Sequence, residues 1–298
     1  MSLTLTTDEI GAIPPHREVF DAGVRLRTYW LGQAGFVLDT PTARIVIDPY
    51  LSDSLAEKYR GKHFPHRRMM APPVDAESLK DVDWVLSTHS HTDHLDPGTL
   101  PVLAQANPDC RFLVPESAAD KALERGVPAG RMTLCNSGDH ITLPSRDGRE
   151  GLAVSAIPAA HEERGYDEAG NDLFLGYVIN AGGCTAYHSG DTIAFPELDE
   201  ELAGFDIDLA LLPVNGRDED RRGHGIPGNL TLDETVDLAL SHQIPFVIGH
   251  HYDMFDFNTI EPEWAERRLS EVLSAGSGLR YRLAKTGVRY EFRIGQFS

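Results

Sequence analysis

The sequence predicts an α+β fold in four layers, two β-sheets packed face to face with helices outside. Two observations predict it. Apolar runs with strand character crowd both the beginning and the middle of the chain, and helical segments follow each set of strands. No repeat, linker or low-complexity stretch divides the 298 residues, so residues 1–298 are expected to form one domain.

Residues 24–30 alternate roughly apolar and polar, as a half-buried strand does, and Gly32 and Gly35 punctuate the turn that follows. Residues 36–38 and 45–47 read as two further strands, closed by Asp48 and Pro49. Residues 50–81 are long, polar and proline-bearing, with His63, His66, Arg67 and Arg68 among them. A loop of that length in a compact domain usually carries function, and Arg67 and Arg68 are candidates for holding a substrate anion. Trp84, Val85, Leu86 and Ser87 form a buried strand. Asp96 and Pro97 read as a helix start, a capping carboxylate followed by a proline in the first turn, with the helix proper over 100–105.

Further on, the pattern alternates. A strand at 111–114 precedes a helix at 117–125 that Gly126 ends, and shorter strands lie near 132–134 and 140–143. Residues 152–157 form a strand that leads to His161, and residues 174–180 and 184–188 a hairpin across Ala181, Gly182 and Gly183. The continuous apolar run at 207–214 is a central strand. Residues 231–241 are an amphipathic helix, with Thr231 as its cap and Glu234 completing a capping box. Residues 246–249 form another buried strand, 261–275 the last helix and 288–294 the last strand.

The chemistry concentrates in Thr88-His89-Ser90-His91-Thr92-Asp93-His94, on the tight loop that leaves strand 84–87. Three imidazoles and a carboxylate fall within six positions, all of metal-ligand type. On an extended loop His89 and His91 share a face, because alternate side chains do. The adjacent Asp93 and His94 diverge, so one pair suits one cation and the other faces a second. His161, Asp191 and His250 or His251 share a further feature: each is the first strongly coordinating residue after a predicted strand. Strand ends along one edge of a sheet sandwich can converge on one pocket. With the first cluster they supply seven ligands, as two bridged cations require. Asp48, ending strand 45–47, suits an acceptor that orients a metal-bound histidine.

The formal net charge of −19 argues against non-specific binding to nucleic acid or to an acidic membrane surface. It leaves room for an anionic small-molecule substrate, because a bound dication dominates its local field. No apolar run approaches the roughly 20 residues that span a bilayer, and residues 1–8 lack the pattern of a secretory leader. Cys110, Cys135 and Cys184 show no C-x-x-C spacing and read as buried thiols of a cytoplasmic protein. A homo-oligomer is compatible with all of this.

The run His89-Ser90-His91-Thr92-Asp93-His94, then His161, Gly190-Asp191 and His251, resembles the metallo-β-lactamase fold superfamily, and the likeness extends from Trp30-Leu31-Gly32 to the last helix. A narrower similarity, to the branch containing L-ascorbate-6-phosphate lactonase, lies in Tyr29-Trp30-Leu31-Gly32, Tyr187-His188-Ser189-Gly190-Asp191 and His251-Tyr252-Asp253-Met254-Phe255. The resemblance implies an αββα sandwich of two mixed sheets with a dinuclear site between them. His89, His91 and His161 would bind the first metal, Asp93, His94 and His251 the second, and Asp191 would bridge both. His250 competes for the last place; His251 is preferred because the family motif sets that ligand directly before an aromatic residue, here Tyr252. The chain departs from the lactonase pattern by having His161 and a short polar segment at 162–172, which separates its substrate from ascorbate phosphate and leaves metal-dependent hydrolysis intact.

The expected activity is therefore hydrolysis of a lactone, ester or phosphoester, a sugar-phosphate lactone included, by a hydroxide that two divalent cations activate. Zinc suits the ligands first, with manganese or iron as alternatives. Asp93 and Asp191 are the catalytic carboxylates, Asp93 orienting the hydroxide or passing a proton to the leaving group. His188 and His250 are candidates for supporting or acid roles. The alternatives are a phosphodiesterase of the same fold and a di-iron oxidoreductase. The latter family's motif has a carboxylate where His91 stands.

Overall fold

In the computed structural model, which describes residues 3–146, 148–149, 151–273 and 276–295, two mixed β-sheets stack face to face between outer helices. The strands in chain order are β1 (Leu3–Glu9), β2 (Val24–Gly32), β3 (Gly35–Asp39), β4 (Arg44–Ile47), β5 (Val82–Leu86), β6 (Arg111–Pro115), β7 (Met132–Cys135), β8 (His140–Leu143), β9 (Leu152–Pro158), β10 (Leu175–Asn180), β11 (Thr185–His188), β12 (Leu209–Pro213), β13 (Phe246–His250), β14 (Arg280–Leu283) and β15 (Val288–Ile294). The helices are α1 (Ser54–Lys58), α2 (Leu100–Ala106), α3 (Ala119–Glu124), α4 (Pro196–Leu202), α5 (Glu219–Gly223), α6 (Leu232–Ser241) and α7 (Pro262–Val272). One sheet has eight strands in the order β1-β15-β2-β3-β4-β5-β6-β7, the other seven in the order β14-β13-β12-β11-β10-β9-β8.

Period-two alternation divides the first sheet. Phe36, Leu38, Ile45, Ile47, Trp84 and Leu86 join the core shared with the second sheet. Val37, Val46, Val85 and Phe112 pack on the other face with Leu100 and Leu103 of α2. Burial on both faces is why these strands read as apolar runs. Helix α6 opens with the predicted capping box: Glu234 N–H donates to Thr231 Oγ1 (3.3 Å), and Thr231 N–H donates to Glu234 Oε2 (2.8 Å).

Strand directions place the functional edge. β9 is antiparallel to β10, and β10 to β11, so β9 runs the same way as β11, β12 and β13. Their C-terminal ends lie on one edge. β5 is brought to that edge by bonds between the sheets: Leu175 N–H donates to Thr88 O (3.0 Å) and Tyr177 O–H to Ser87 O (2.8 Å). His188 Nε2–H to Ala34 O (2.8 Å) and His251 N–H to Gln33 O (3.0 Å) join the β2–β3 turn to the second sheet.

Several elements differ from the expectation. α2 starts at Leu100, after Thr99, and not at Asp96 and Pro97. Asp96 accepts instead from Ser52 Oγ (2.8 Å), Ser54 Oγ (2.7 Å) and Gly98 N (3.0 Å), so it pins the 50–81 loop to the ligand-bearing loop. The 50–81 loop contains α1 and a 3₁₀ turn at Ala76–Ser78. β1, β14, α4 and α5 were not foreseen. β1 lies at the sheet edge and is mostly exposed; only its first four residues, Leu3-Thr4-Leu5-Thr6, alternate apolar and polar, a short run that gives way to Thr7, Asp8 and Glu9. The last helix ends at Val272; residues 274 and 275 of the expected 261–275 segment lie outside the described residues.

None of the helices among the described residues is long and apolar enough to cross a membrane. All three cysteines are free and buried, and burial pushes the thiols of Cys110 and Cys135 up to about 12 and that of Cys184 higher still. A thiol held protonated is a poor nucleophile. The folded protein is therefore expected to resist an aromatic disulfide reagent at mildly alkaline pH and to react at all three thiols once denatured. Rapid titration of any thiol in the folded state would contradict the burial described here.

Candidate metal centre

The loop after β5 is oriented by one buried carboxylate. Asp48 accepts from Thr88 N–H at Oδ1 (2.8 Å) and from the Thr88 hydroxyl at Oδ2 (2.6 Å). With its own proton committed, Thr88 Oγ1 accepts from His89 Nδ1–H (3.0 Å). His94 Nδ1–H donates to Asp48 Oδ2 (2.7 Å), and His161 Nδ1–H donates to the Gly228 carbonyl (2.8 Å). Each bond engages Nδ1 and turns Nε2 of His89, His94 and His161 inward, with the lone pair on Nε2 in the neutral rings of His89 and His161.

Those nitrogens meet around Asp191. His94 Nε2 is 3.3 Å and His161 Nε2 3.4 Å from Asp191 Oδ2, while His251 Nε2 is 3.3 Å from Oδ1. His89 Nε2 lies 2.9 Å from His91 Nδ1. Three ligand-type groups result, each with donor atoms within 4.8 Å of one another: His89, His91 and His161; His89, His94 and Asp191; Asp93, His94 and His251.

A buried carboxylate ringed by nitrogen lone pairs is unfavourable without positive charge among them. His94 Nε2 and Asp191 Oδ1 are buried without a hydrogen-bond partner. Burial works against the charge of Asp191, yet His251 and His94 hold its carboxyl far below the ordinary value. Burial, then His94 and His91, push His89 well down, and burial with His161 pushes His91 down to about 4. Both stay neutral, the form that ligates. For His94 burial opposes charge, but Asp191, Asp48 and Asp93 raise it well above the usual imidazole value. The set of inward nitrogens and carboxylate oxygens fits divalent cations.

Backbone strain accompanies the placement. Gln33 (φ 52°), Asp48 (φ 44°) and His251 (φ 64°) are non-glycine residues in the left-handed region, which costs on the order of 1–3 kcal/mol each. Gly190 is also left-handed (φ +61°), and a Cβ there would lie 2.7 Å from Leu175 O and 2.9 Å from Thr88 Cβ. Only glycine lets Asp191 approach the loop after β5.

Sequence reasoning missed Gln33. Its amide nitrogen is 2.8 Å from Asp93 Oδ2 and 3.2 Å from His251 Nε2, so it joins the first loop to the last strand end. An amide set between Gly32 and Ala34 in an apolar hairpin was the available signal. His251, and not His250, enters the cluster. The His250 ring lies 5.3 Å from Phe36 and stacks on His188 at 5.4 Å, beneath the site. His188 is held between the Ala34 carbonyl and Gly190 N–H.

The cluster forms the floor of a cleft of about 380 Å³, walled by Leu55, Tyr59, Phe64, His66, Ile226 and Phe255. Arg67 and Arg68 do not line it; both border a separate depression on the other side of their loop. Arg68 donates to the carbonyls of Tyr50 (3.0 Å), Ser52 (3.3 Å) and Met70 (3.2 Å), which fold its guanidinium inward as a loop brace. The basic residues at the cleft are Lys58 and Lys62. Glu162 anchors the far wall, accepting from Gly228 N–H and from Arg222 Nε–H, both at 2.9 Å.

Residues 43–252 match the family described as the beta-lactamase superfamily domain. The chain is similar to a UPF0173 metal-dependent hydrolase of Pyrobaculum calidifontis, 30% identical over 251 residues, 83% of this chain and 92% of that protein. It is similar to the N-acyl-phosphatidylethanolamine-hydrolyzing phospholipase D 1 of Caenorhabditis elegans, 26% identical over 264 residues, 84% of this chain and 70% of that protein. Among solved structures, the isothiocyanate hydrolase from Delia radicum gut bacteria superposes with a TM-score of 0.69 at 21% identity, covering 88% of this chain and 97% of that one. That likeness shows the shared fold.

Two substitutions probe the supporting frame. Asp48→Asn keeps the shape but removes the charge that fixes Thr88 and His94, and is expected to weaken metal affinity about 10- to 100-fold. Competition with a chromogenic chelator measures it, and unchanged affinity would remove Asp48 from this role. Gly190→Ala is expected to lower stability by roughly 1–3 kcal/mol, read as a fall in the thermal midpoint of the metal-free protein.

Proposed function

The chain belongs to the beta-lactamase superfamily domain family and is a metal-dependent hydrolase of the metallo-β-lactamase fold, and from that premise we propose that it holds two divalent cations side by side and hydrolyses a small ester, lactone or phosphoester. The observation that carries this reading is the place of the Asp191 carboxylate between the two ligand sets: Oδ2 lies 3.4 Å from His161 of one set and 3.3 Å from His94 of the other, and Oδ1 lies 3.3 Å from His251. His89, His91 and His161 would hold one cation, Asp93, His94 and His251 the other, and Asp191 both. Imidazole and carboxylate donors suit zinc, with manganese or iron as alternatives. When bound, such a pair supplies an activated water and a Lewis acid for the oxyanion that develops.

The chain's own residues supply the rest. Burial disfavours the charge of Asp93, but His94, with His251 and His91, keeps its carboxyl below the ordinary value. It is an ionised acceptor in the resting site. Gln33 donates to Oδ2, which leaves Oδ1 to take a proton from the attacking water and deliver it to the leaving group. Asp48 holds His94 in register throughout. The cleft volume of about 380 Å³ falls at the small end of small-molecule sites, about 300–1,000 Å³.

Two bond types compete within this reading. The lactone rests on the likeness of the 187–191 and 251–255 stretches to the ascorbate-phosphate lactonase branch. The phosphodiester is favoured by the similarity to the C. elegans phospholipase D. A panel of sugar lactones, aryl phosphodiesters and simple aryl esters, run on the metal-loaded protein, separates them. His91→Ala and Asp191→Asn are each expected to lose metal by elemental analysis and to reduce hydrolysis to background. A fully loaded, active variant would overturn the ligand assignment. Wild type that binds metal yet turns over no member of the panel would overturn the substrate classes.

A further inference from the structure

Resting on the hydrolase reading above, we infer that the cleft selects an anionic substrate, seating its charged group between Lys58 and Lys62 at the rim and its apolar body against a wall of aromatic and imidazole rings. The lysines make the case. The chain has five, at positions 58, 62, 80, 121 and 285. Lys121 pairs with Glu124 (2.6 Å) and Lys285 with Glu266 (3.5 Å). Lys58 and Lys62 line the cleft, and among the described residues neither has a carboxylate within ion-pair distance. In a chain with 46 acidic residues against 27 basic ones, neutralising partners are abundant. Both are exposed and hydrated. Lys80 too lacks an ion pair among the described residues but lies at a different depression, so position is what singles this pair out. Two ammonium groups stand together at the mouth of the cleft that holds the metal-ligand cluster, with no carboxylate among the described residues paired to either, and can meet a negative group on a ligand.

Lys58 is placed and not merely present. It ends α1, whose first residue, Ser54, is tied to Asp96. Its Nζ lies 3.4 Å from Thr92 Oγ1, one residue from Asp93, and 5.0 Å from the centre of the Tyr59 ring. An anion bound there sits beside the reacting carboxylate and not on it. Behind it, Tyr59 stacks on His66 (4.3 Å), His66 meets Phe255 (5.1 Å), and His63 stacks on His224 across the cleft mouth (4.5 Å). Burial lowers the pKa of His66, so this ring joins the wall as a neutral surface. The acidic remainder of the molecule repels an approaching anion, and a local positive rim, above a floor that bound dications would make cationic, would focus it into the cleft.

The test uses matched esters: mono-(4-nitrophenyl) glutarate, its methyl-capped neutral counterpart, and a third ester with a terminal phosphate in place of the carboxylate. Zinc-loaded wild type is expected to prefer a charged ester over the capped one by about tenfold in kcat/KM, carried by KM and eroded by added salt. Preference for either the carboxylate or the phosphate supports the proposal and identifies the better anion. In Lys58→Ala/Lys62→Ala the ratio of charged to capped ester falls to near one, and in Lys58→Arg/Lys62→Arg most of it is retained. A wild type indifferent to charge, or an alanine pair that keeps the full preference, overturns the proposal while leaving hydrolysis standing. If no ester is hydrolysed, calorimetric binding of the unreactive glutarate anilide and its methyl ester decides. A lysine-dependent preference for the charged anilide supports the anion site although the hydrolase reading has failed, and no preference overturns it.

Discussion

The Asp191 carboxylate, buried among imidazole nitrogens that face it, is the constraint on which the site depends. His94, His161 and His251 approach within 3.3–3.4 Å, and the outward ring nitrogens of His94 and His161 are already committed to Asp48 and Gly228. Rotating any ring away would strand a polar atom in the interior, at about 1–3 kcal/mol. Leaving the carboxylate without a positive neighbour is also costly, about 3–5 kcal/mol for an uncompensated buried charge, and it is His94, raised well above the usual imidazole value by Asp191, Asp48 and Asp93, that answers it within the chain. Positive charge at the centre relieves both. Preorganisation therefore resides in the second rank of hydrogen bonds, from His94 to Asp48 and from His161 to Gly228, and not in the ligands themselves.

Chemistry and selection are built from different materials. The groups around Asp191 follow strand ends, and hydrogen bonds between the sheets, such as Leu175 N–H to Thr88 O and His251 N–H to Gln33 O, hold those ends at fixed separation. The cleft walls come from the 50–81 loop and from the turn after α5, which Glu162 tethers through Gly228 and Arg222. A rigid edge beneath adjustable loops lets one hydrolytic centre face different substrates across relatives. Lys58 and Lys62 belong to the adjustable part, whereas Asp96 is the joint between the two, bonded to Ser52 and Ser54 on one side and to Gly98 on the other.

Legibility in the sequence tracks how local each cause is. The central strands were readable because burial on both faces writes them as apolar runs, and α6 because its capping box lies within four residues. The convergence of His161, Asp191 and His251 on the His89–His94 loop was readable because the parallel course of β9, β11 and β13 turns strand ends into neighbours. Gln33 was not, since its partners are 60 and 218 positions away. The basic residues of the 50–81 loop show the same limit. Arg67 and Arg68 look better suited than Lys58 to hold an anion, but the carbonyls of Tyr50 and Ser52 capture Arg68, and the path of the loop turns Arg67 outward. Which side chain faces a cleft depends on folding of the loop, not on its composition.

The adjacent histidines at the end of β13 show how finely that distinction runs. In a strand, neighbours face opposite sides, and His250 points into the core against Phe36 and His188. His251 leaves the strand through a left-handed backbone that its bond to Gln33 stabilises, and so reaches Asp191. The buried pair is not idle. Burial lowers the pKa of His188, and burial together with His188 and His251 sets that of His250 well below the usual imidazole value. Two uncharged, fully buried rings therefore lie under the site. The lower local dielectric strengthens every interaction of Asp191 with what lies above it. The second imidazole layer thus acts on the centre without touching it, by setting the medium in which the first layer works.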